Sequence, residues 1–344
     1  MKIRKILSAI SLAMLLAMLL SGCKETVKHT KVTKSEGEIS SIQNCDKQGH
    51  VFEEGACTKC NATFSDALEF ELNSDGESYA VVEAEKCKDE EVFIPAEYNG
   101  LPVTVIGKSA FYGSLAKRIY IPYTVKIIED SAFHKCRSLL TVEFEEGSQL
   151  QFIGEDAFLY SEALSYINLP ESLVDIGREA FWGCASLITI SIPDNVTHIG
   201  VDAFSGTDYY RRKENWENGI LYIGNYLVAV DKELSGKCVV KEGITLLADN
   251  SFASCQNLII VDLPSSLEIV GEGAFSNCVA LEYVNFNEDN NLKKISSKVF
   301  VGCETFLRIT YGRTAEEWEK VEKDKSWNYN LNNYIIHCYD TDIT

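Results

Sequence analysis

Along most of the chain the hydrophobic positions keep one order. A leucine is followed three places on by Ile or Val and two later by Ile or Leu, often with a proline behind it. Another aliphatic pair comes next, and then Ala-Phe. Residues 187–204, LITISIPDNVTHIGVDAF, contain the full order. The alternation in LITISIP, and in LSYINLP (164–170) and LIIVDLP (258–264), predicts very short strands. It sends Ile190 and Ile192 inward and Ser191 outward. Pro193 has no amide to donate and ends the strand. Val196 and Ile199 supply a second apolar pair, and the Ala-Phe dipeptide predicts a short helical turn or loop whose ring fills the centre of a coil.

The phenylalanines that mark the copies are Phe111, Phe133, Phe158, Phe181, Phe204, Phe252, Phe275 and Phe300. Their separations are 22, 25, 23, 23, 48, 23 and 25, so the long gap is about two periods. A period of about 23 residues predicts a leucine-rich-repeat solenoid of α/β type, with short parallel strands and irregular or short helical connections. No unit can bury its own apolar side chains, and stacked units share one core in a rod with a parallel sheet along it.

The residues resemble the BspA-like leucine-rich repeats, also called the Treponema pallidum type, whose pattern runs L-x-x-I-x-I-P-x-x-V-x-x-I-G-x-x-A-F-x-x-C. Residues 187–204 and 258–278 follow it closely, and residues 92–111, VFIPAEYNGLPVTVIGKSAF, are similar to the usual first unit of that family. The resemblance spans about residues 81–311. Departures are local: residues 281–300 lack the proline and glycine, and Glu129 replaces the glycine in IEDSAF. The resemblance implies a surface protein associated with adhesion to host proteins or to other bacteria.

Outward places on the strands offer two rows. One holds Tyr120, Glu143, Asn168, Ser191, Asp262, Asn285 and Thr310; the other holds Arg118, Thr141, Tyr166, Thr189, Ile260, Tyr283 and Arg308. Tyrosine gives rigid amphipathic contact area at low entropic cost. The candidate binding surface is therefore Tyr120, Tyr166, Tyr283, Arg118 and Arg308. Within the long gap, Gly219 and Gly224 mark turns around ILYI and YLVAV. Tyr209, Tyr210 and Trp216, beside the basic triplet 211–213, either stand out for binding or cover the stack.

Charge narrows the partners. The chain of 344 residues carries 32 basic and 51 acidic side chains, a formal charge of −19, which repels nucleic acid and anionic lipid at long range. The N-terminus adds a destination. A basic start, an apolar run over residues 6–20 and then LSGC predict an export signal over residues 1–22. LSGC resembles the lipobox of bacterial lipoproteins, which implies cleavage before Cys23, a diacylglycerol thioether on it, and anchoring at the bacterial cell surface. The polar stretch over residues 23–44 is a flexible tether.

The cysteines fall into groups. Cys45, His50, Cys57 and Cys60 have the spacing C-x4-H-x6-C-x2-C over a module at residues 45–66. Four such ligands close a tetrahedral structural zinc site. The same residues also suit a Cys57–Cys60 or Cys45–Cys57 disulfide, which export permits. Cys136, Cys184, Cys255, Cys278 and Cys303 each lie three places after a phenylalanine, where other copies have Ser114, Ser161 or Thr207. That place wants a small side chain, and free Cys serves as a small buried hydrophobe. Cys87, Cys238 and Cys338 take no role.

The repeats fill residues 67–310, and residues 311–344 predict a cap over the end of the stack. There Thr314 and Glu317 have the spacing of a capping box, with Trp318 and Val321 on one helix face. No G-x-S-x-G, H-E-x-x-H or phosphate-binding loop is present, and the five histidines are scattered, so catalysis is not expected. The reading is a lipid-anchored surface protein that binds an extracellular protein or glycan. The alternative is a structural or assembly component of the bacterial envelope.

Overall fold

In the computed structural model, residues 52–53, 56–57, 64–65, 67–331 and 333–344 are described, the first two pairs as backbone. Each regular unit is one coil of the chain, and corresponding segments of successive units form columns. The first column is the expected strand. Glu91–Phe93, Arg118–Ile121, Thr141–Phe144 and Tyr166–Ile167 pair in parallel. So do Ser235–Val239, Asn257–Leu263, Tyr283–Phe286, Arg308–Tyr311 and Ile335–Cys338 further along.

A second column was not expected. The second member of the later aliphatic pair, with the residue before it, also forms parallel two-residue strands: Ile127–Ile128, Phe152–Ile153, Asp175–Ile176 and His198–Ile199. Leu246–Leu247, Ile269–Val270 and Lys294–Ile295 continue the pattern beyond the gap. Two residues are too few for alternation to show in sequence, so this column was hidden. The glycine after it marks close approach of backbones. A Cβ on Gly177 would lie 2.6 Å from the Gly154 carbonyl carbon, and one on Gly200 would lie 2.4 Å from the Arg178 nitrogen.

The Ala-Phe segments are irregular turns and make a third column. In five units the phenylalanine N–H donates to the alanine carbonyl of the next unit, as in Phe133 to Ala157 and Phe158 to Ala180, both at 2.7 Å, and Phe275 donates in the same way to Val299. The rings are buried and stacked. Centroids are 5.1 Å apart for Phe111–Phe133, 4.9 Å for Phe133–Phe158, 5.1 Å for Phe158–Phe181 and 5.4 Å for Phe181–Phe204. The residue two places before the ring has positive φ in every regular copy, for example 58° at Asp156 and 52° at Glu179. This backbone turn aims the ring inward.

The long gap is a joint. Its hairpin, Ile220–Ile223 with Tyr226–Val230, is antiparallel. Its side chains divide between two hydrophobic clusters. Ile223 and Tyr226 join the upstream core, while Ile220, Tyr222, Leu227 and Val230 join the downstream one. The Tyr226 hydroxyl also donates to the Pro193 carbonyl at 2.5 Å. The hairpin thus keeps apolar contact across the place where the phenylalanine stack is interrupted. The joint also corrects an expectation. Residues 187–193 have Ile190 and Ile192 buried and Ser191 exposed, as the alternation required, yet they form no strand. Where the next strand would lie, the chain instead runs into helix α1, Asp208–Arg211, and the Tyr209 N–H takes the Leu187 carbonyl at 2.9 Å.

At the other end, helix α2 (Ala315–Lys320) starts on a formed capping box between Thr314 and Glu317. Its Trp318 is buried edge-on against Tyr311 and Trp327, at 5.1 and 5.8 Å. Trp318, Val321 and Trp327 all belong to the downstream core.

Candidate functional site

Pairing in the first column sets the outward side chains in register. Thr141 lies level with Arg118 and Tyr166, and Glu143 with Tyr120. Downstream, Tyr283 lies level with Ile260 and Arg308, and Asn285 with Asp262 and Thr310. The two rows therefore exist, but as two blocks separated by the unpaired residues 187–193.

The blocks differ in how much they offer. In the upstream block Tyr166 is 56% exposed, while Tyr120 is half-buried with its ring flat on Phe93 at 4.3 Å. Burial first, then the charges of Glu143 and Glu91, push the Tyr120 phenol well up. Arg118 faces Glu91 at 3.7 Å. In the downstream block the Arg308 guanidinium sits over the Tyr283 ring at 5.3 Å. Lys237 pairs with Asp262 at 2.6 Å, and the Asn285 amide donates to Asp262 at 2.8 Å. Burial works against the Asp262 carboxylate, but these donors prevail and hold it below its usual range. The downstream block is thus an ordered polar and aromatic ladder.

The joint holds its own polar cluster. Imidazole Nδ1 of His198 is 2.9 Å from Asp175, and Nε2 is 2.9 Å from Asp249. Asp175 belongs to the unit before His198 and Asp249 to the first regular unit past the gap. Hydrogen bonds to Asp175 and then Asp249 outweigh burial and raise the His198 pKa to about 10. The cluster lines a depression of about 340 Å³ with Thr197, Gly271, Lys294 and Ser296. Sequence reading passed over it because the two carboxylates lie 23 and 51 residues from the histidine.

Tyr209, Tyr210 and Trp216 are half-buried and use their polar atoms within the chain. The Tyr209 hydroxyl donates to the Tyr222 carbonyl at 3.1 Å, and the Trp216 indole donates to the Tyr210 carbonyl at 2.7 Å. These bonds tie all three to the joint and leave part of each side chain open to solvent. Cys23, Cys45, His50 and Cys60 lie outside the described residues. Cys57 falls in a two-residue strand, Ala56–Cys57, paired antiparallel with Phe52–Glu53.

The repeat geometry has a counterpart among known families. The model of the BspA type leucine rich repeat region matches residues 104–235 and 222–338, with 6 copies, which is more than half of the chain. The chain belongs to the BspA-type leucine-rich repeat family. Solved structures similar to it include a leucine rich cell surface protein from Faecalibacterium prausnitzii A2-165, at 22% identity over 81% of this chain and 95% of that one, with a TM-score of 0.35. The leucine rich repeat protein of T. pallidum is 21% identical over 72% and 81%, with a TM-score of 0.28. The pneumococcal vaccine antigen PcpA is 20% identical over 80% and 84%, with a TM-score of 0.41. No curated protein matches the chain.

Within this BspA-type frame the five repeat cysteines gain a role that composition had not suggested. The thiols of Cys136, Cys184, Cys278 and Cys303 donate to the phenylalanine carbonyl of the preceding unit at 3.0, 3.2, 3.1 and 3.0 Å. Ser161 makes the same bond at 2.7 Å. Cys255 has the joint before it and reaches Asp231 instead, at 3.7 Å. The signal was present in sequence: Cys, Ser and Thr share a donor, and no copy places Ala there.

Proposed function

We propose that this BspA-type protein is a lipid-anchored recognition protein of the bacterial cell surface, which binds an extracellular protein or glycan through the outward face of the first column and serves adhesion. The observation that carries the reading is the registered ladder of Tyr283, Arg308, Asp262, Asn285 and Thr310, with Tyr166 exposed in the upstream block. Paired neighbours pre-order these side chains, so a partner meets them with little further entropy to lose. Tyrosine supplies large, rigid contact area at low entropic cost, which suits recognition.

Anchoring rests on LSGC, and intact-mass measurement tests it directly. Mature protein carries lipid on Cys23, and Cys23→Ser leaves an unlipidated precursor. An unmodified Cys23 in the mature protein overturns anchoring and leaves the recognition face untouched. The adhesive role is tested by offering the chain, stripped of lipid, to extracts of partner-cell or host surfaces and to the envelope of its own cell. Capture from the first supports adhesion. Capture from its own envelope alone overturns it in favour of an assembly role.

A further inference from the structure

The turn column carries a row of aromatic side chains that the fold does not require. Tyr112, His134 and Trp182 each follow a stack-filling phenylalanine directly, and Tyr160 comes from the next place in its unit. Four consecutive units thereby bring four rings side by side. Ring centroids are 5.2 Å apart for Tyr112–His134, 6.3 Å for His134–Tyr160 and 4.8 Å for Tyr160–Trp182. Tyr112 is 54% exposed, Tyr160 is exposed, and the other two are half-buried.

Other units of the same chain act as an internal control. After Phe204, Phe252, Phe275 and Phe300 the corresponding residues are Ser205, Ala253, Ser276 and Val301. Two of those turns make the same bond to the next unit, Phe252 to Ala274 at 2.8 Å and Phe275 to Val299 at 2.9 Å. The stack is built without surface rings there, so packing does not demand the upstream ones. His134 even carries a cost, because its Nε2 is buried without a hydrogen-bond partner.

We propose that the row Tyr112, His134, Tyr160 and Trp182 is a stacking strip for a neutral, linear oligosaccharide. The C–H face of a sugar ring is slightly positive and meets the negative face of an aromatic ring. A row with one ring per unit offers such rings in series, inclined by 58°, 34° and 89° from one to the next, as a chain of sugars offers its rings in series. Charge selects against an ionic ligand. Four carboxylates on the neighbouring turns already have cationic partners: Asp130 has Lys108 at 3.7 Å, Glu162 has Arg137 at 3.4 Å, and Glu155 and Glu179 share Arg178. Asp156 is an exception, and burial first and then Asp130 push its pKa up, which lessens its charge. Burial, followed by the charge of Lys135, lowers the His134 pKa, which keeps that ring uncharged at neutral pH. At the edge of the row, Lys135 donates to the Tyr112 hydroxyl at 3.0 Å and holds that ring in place.

This site is distinct from the strand face of the preceding reading and stands or falls separately. The test is titration of the full chain with neutral β-linked hexasaccharides, cellohexaose and chitohexaose, with heparin as a charged control. Binding to a neutral hexasaccharide is expected, with loss of about tenfold or more in affinity for Tyr112→Ala and for Trp182→Ala. Tyr339→Ala removes a still more exposed ring outside the row and leaves affinity unchanged. If Trp182→Ala fails to fold, Tyr112→Ala alone decides. Absence of binding to both neutral probes overturns the inference, as does binding that Tyr112→Ala does not weaken or that heparin alone shows. Loss of binding in Tyr166→Ala but not in Tyr112→Ala overturns it while leaving the strand face as the recognition surface.

Discussion

Cys184 is buried between two units, with its thiol 3.2 Å from the Phe158 carbonyl and its pKa pushed well up, first by burial. The neighbouring unit makes the bond with the Ser161 hydroxyl at 2.7 Å. Donation, rather than sulfur or size, is what these residues have in common. Cys184→Ser keeps a donor of nearly the same reach, whereas Cys184→Ala removes it. Chemical unfolding is expected to cost Cys184→Ala about 1 kcal/mol more than Cys184→Ser, the net worth of an ordinary hydrogen bond. Equal losses would return the position to a mere preference for small side chains. The residue type was legible in the sequence, and its chemistry was not. The acceptor is a backbone carbonyl 26 residues away, and backbone atoms leave no trace in residue identity.

At the scale of single elements, the phenylalanine turn and the outward face of the extended segment beside it should differ sharply in worth. Phe181 is fully buried, with rings above and below it at 5.1 and 5.4 Å. Phe181→Ala is expected to cost about 3–5 kcal/mol, the range for deleting a buried aromatic side chain. Ser191 is exposed and Ser191→Ala should change stability by no more than about 0.5 kcal/mol. Denaturant titrations read both, taking midpoint and slope together because repeat arrays unfold in stages. Equal effects would contradict the assignment of inward and outward faces. That assignment, unlike the strand itself, was readable from LITISIP. Inward burial needs only alternation, whereas strand pairing needs a neighbour, and the joint withholds one. The joint also predicts a pH dependence. The folded pKa of His198, about 10, lies above the ordinary histidine value of 6.5. Its bonds to Asp175 and Asp249 therefore contribute fully below about pH 6.5, and the contribution fades as pH rises through about 10. The side chain is 42% exposed, so solvent holds the gain to about 1 kcal/mol or less. The midpoint difference between the wild type and His198→Ala should accordingly narrow between pH 7 and pH 10.5. A difference that stays constant across that range would remove the charged clasp.

Across the whole molecule, the proposed function places stability and recognition on different atoms of the same repeat. Inward side chains build two cores joined by the hairpin at residues 220–230, and outward side chains stand on that support without being needed by it. The period and the Ala-Phe-x-x-Cys phrase made the stack legible from sequence, because every copy repeats the same demand. The joint was visible as a missing phenylalanine and as the Gly219 and Gly224 turns around ILYI and YLVAV, which are the two strands of its hairpin. The division of that hairpin between two cores was not legible, since it has no second copy to compare with. Separation of the two roles is the central claim, and one paired measurement tests it. The combined variant Tyr166→Ala, Tyr283→Ala, Arg308→Ala is compared with the wild type for capture of surface partners and for its unfolding midpoint. The account predicts capture reduced about tenfold or more, as expected when hot-spot side chains are removed, with a nearly unchanged midpoint. Undiminished capture by a folded variant would contradict it.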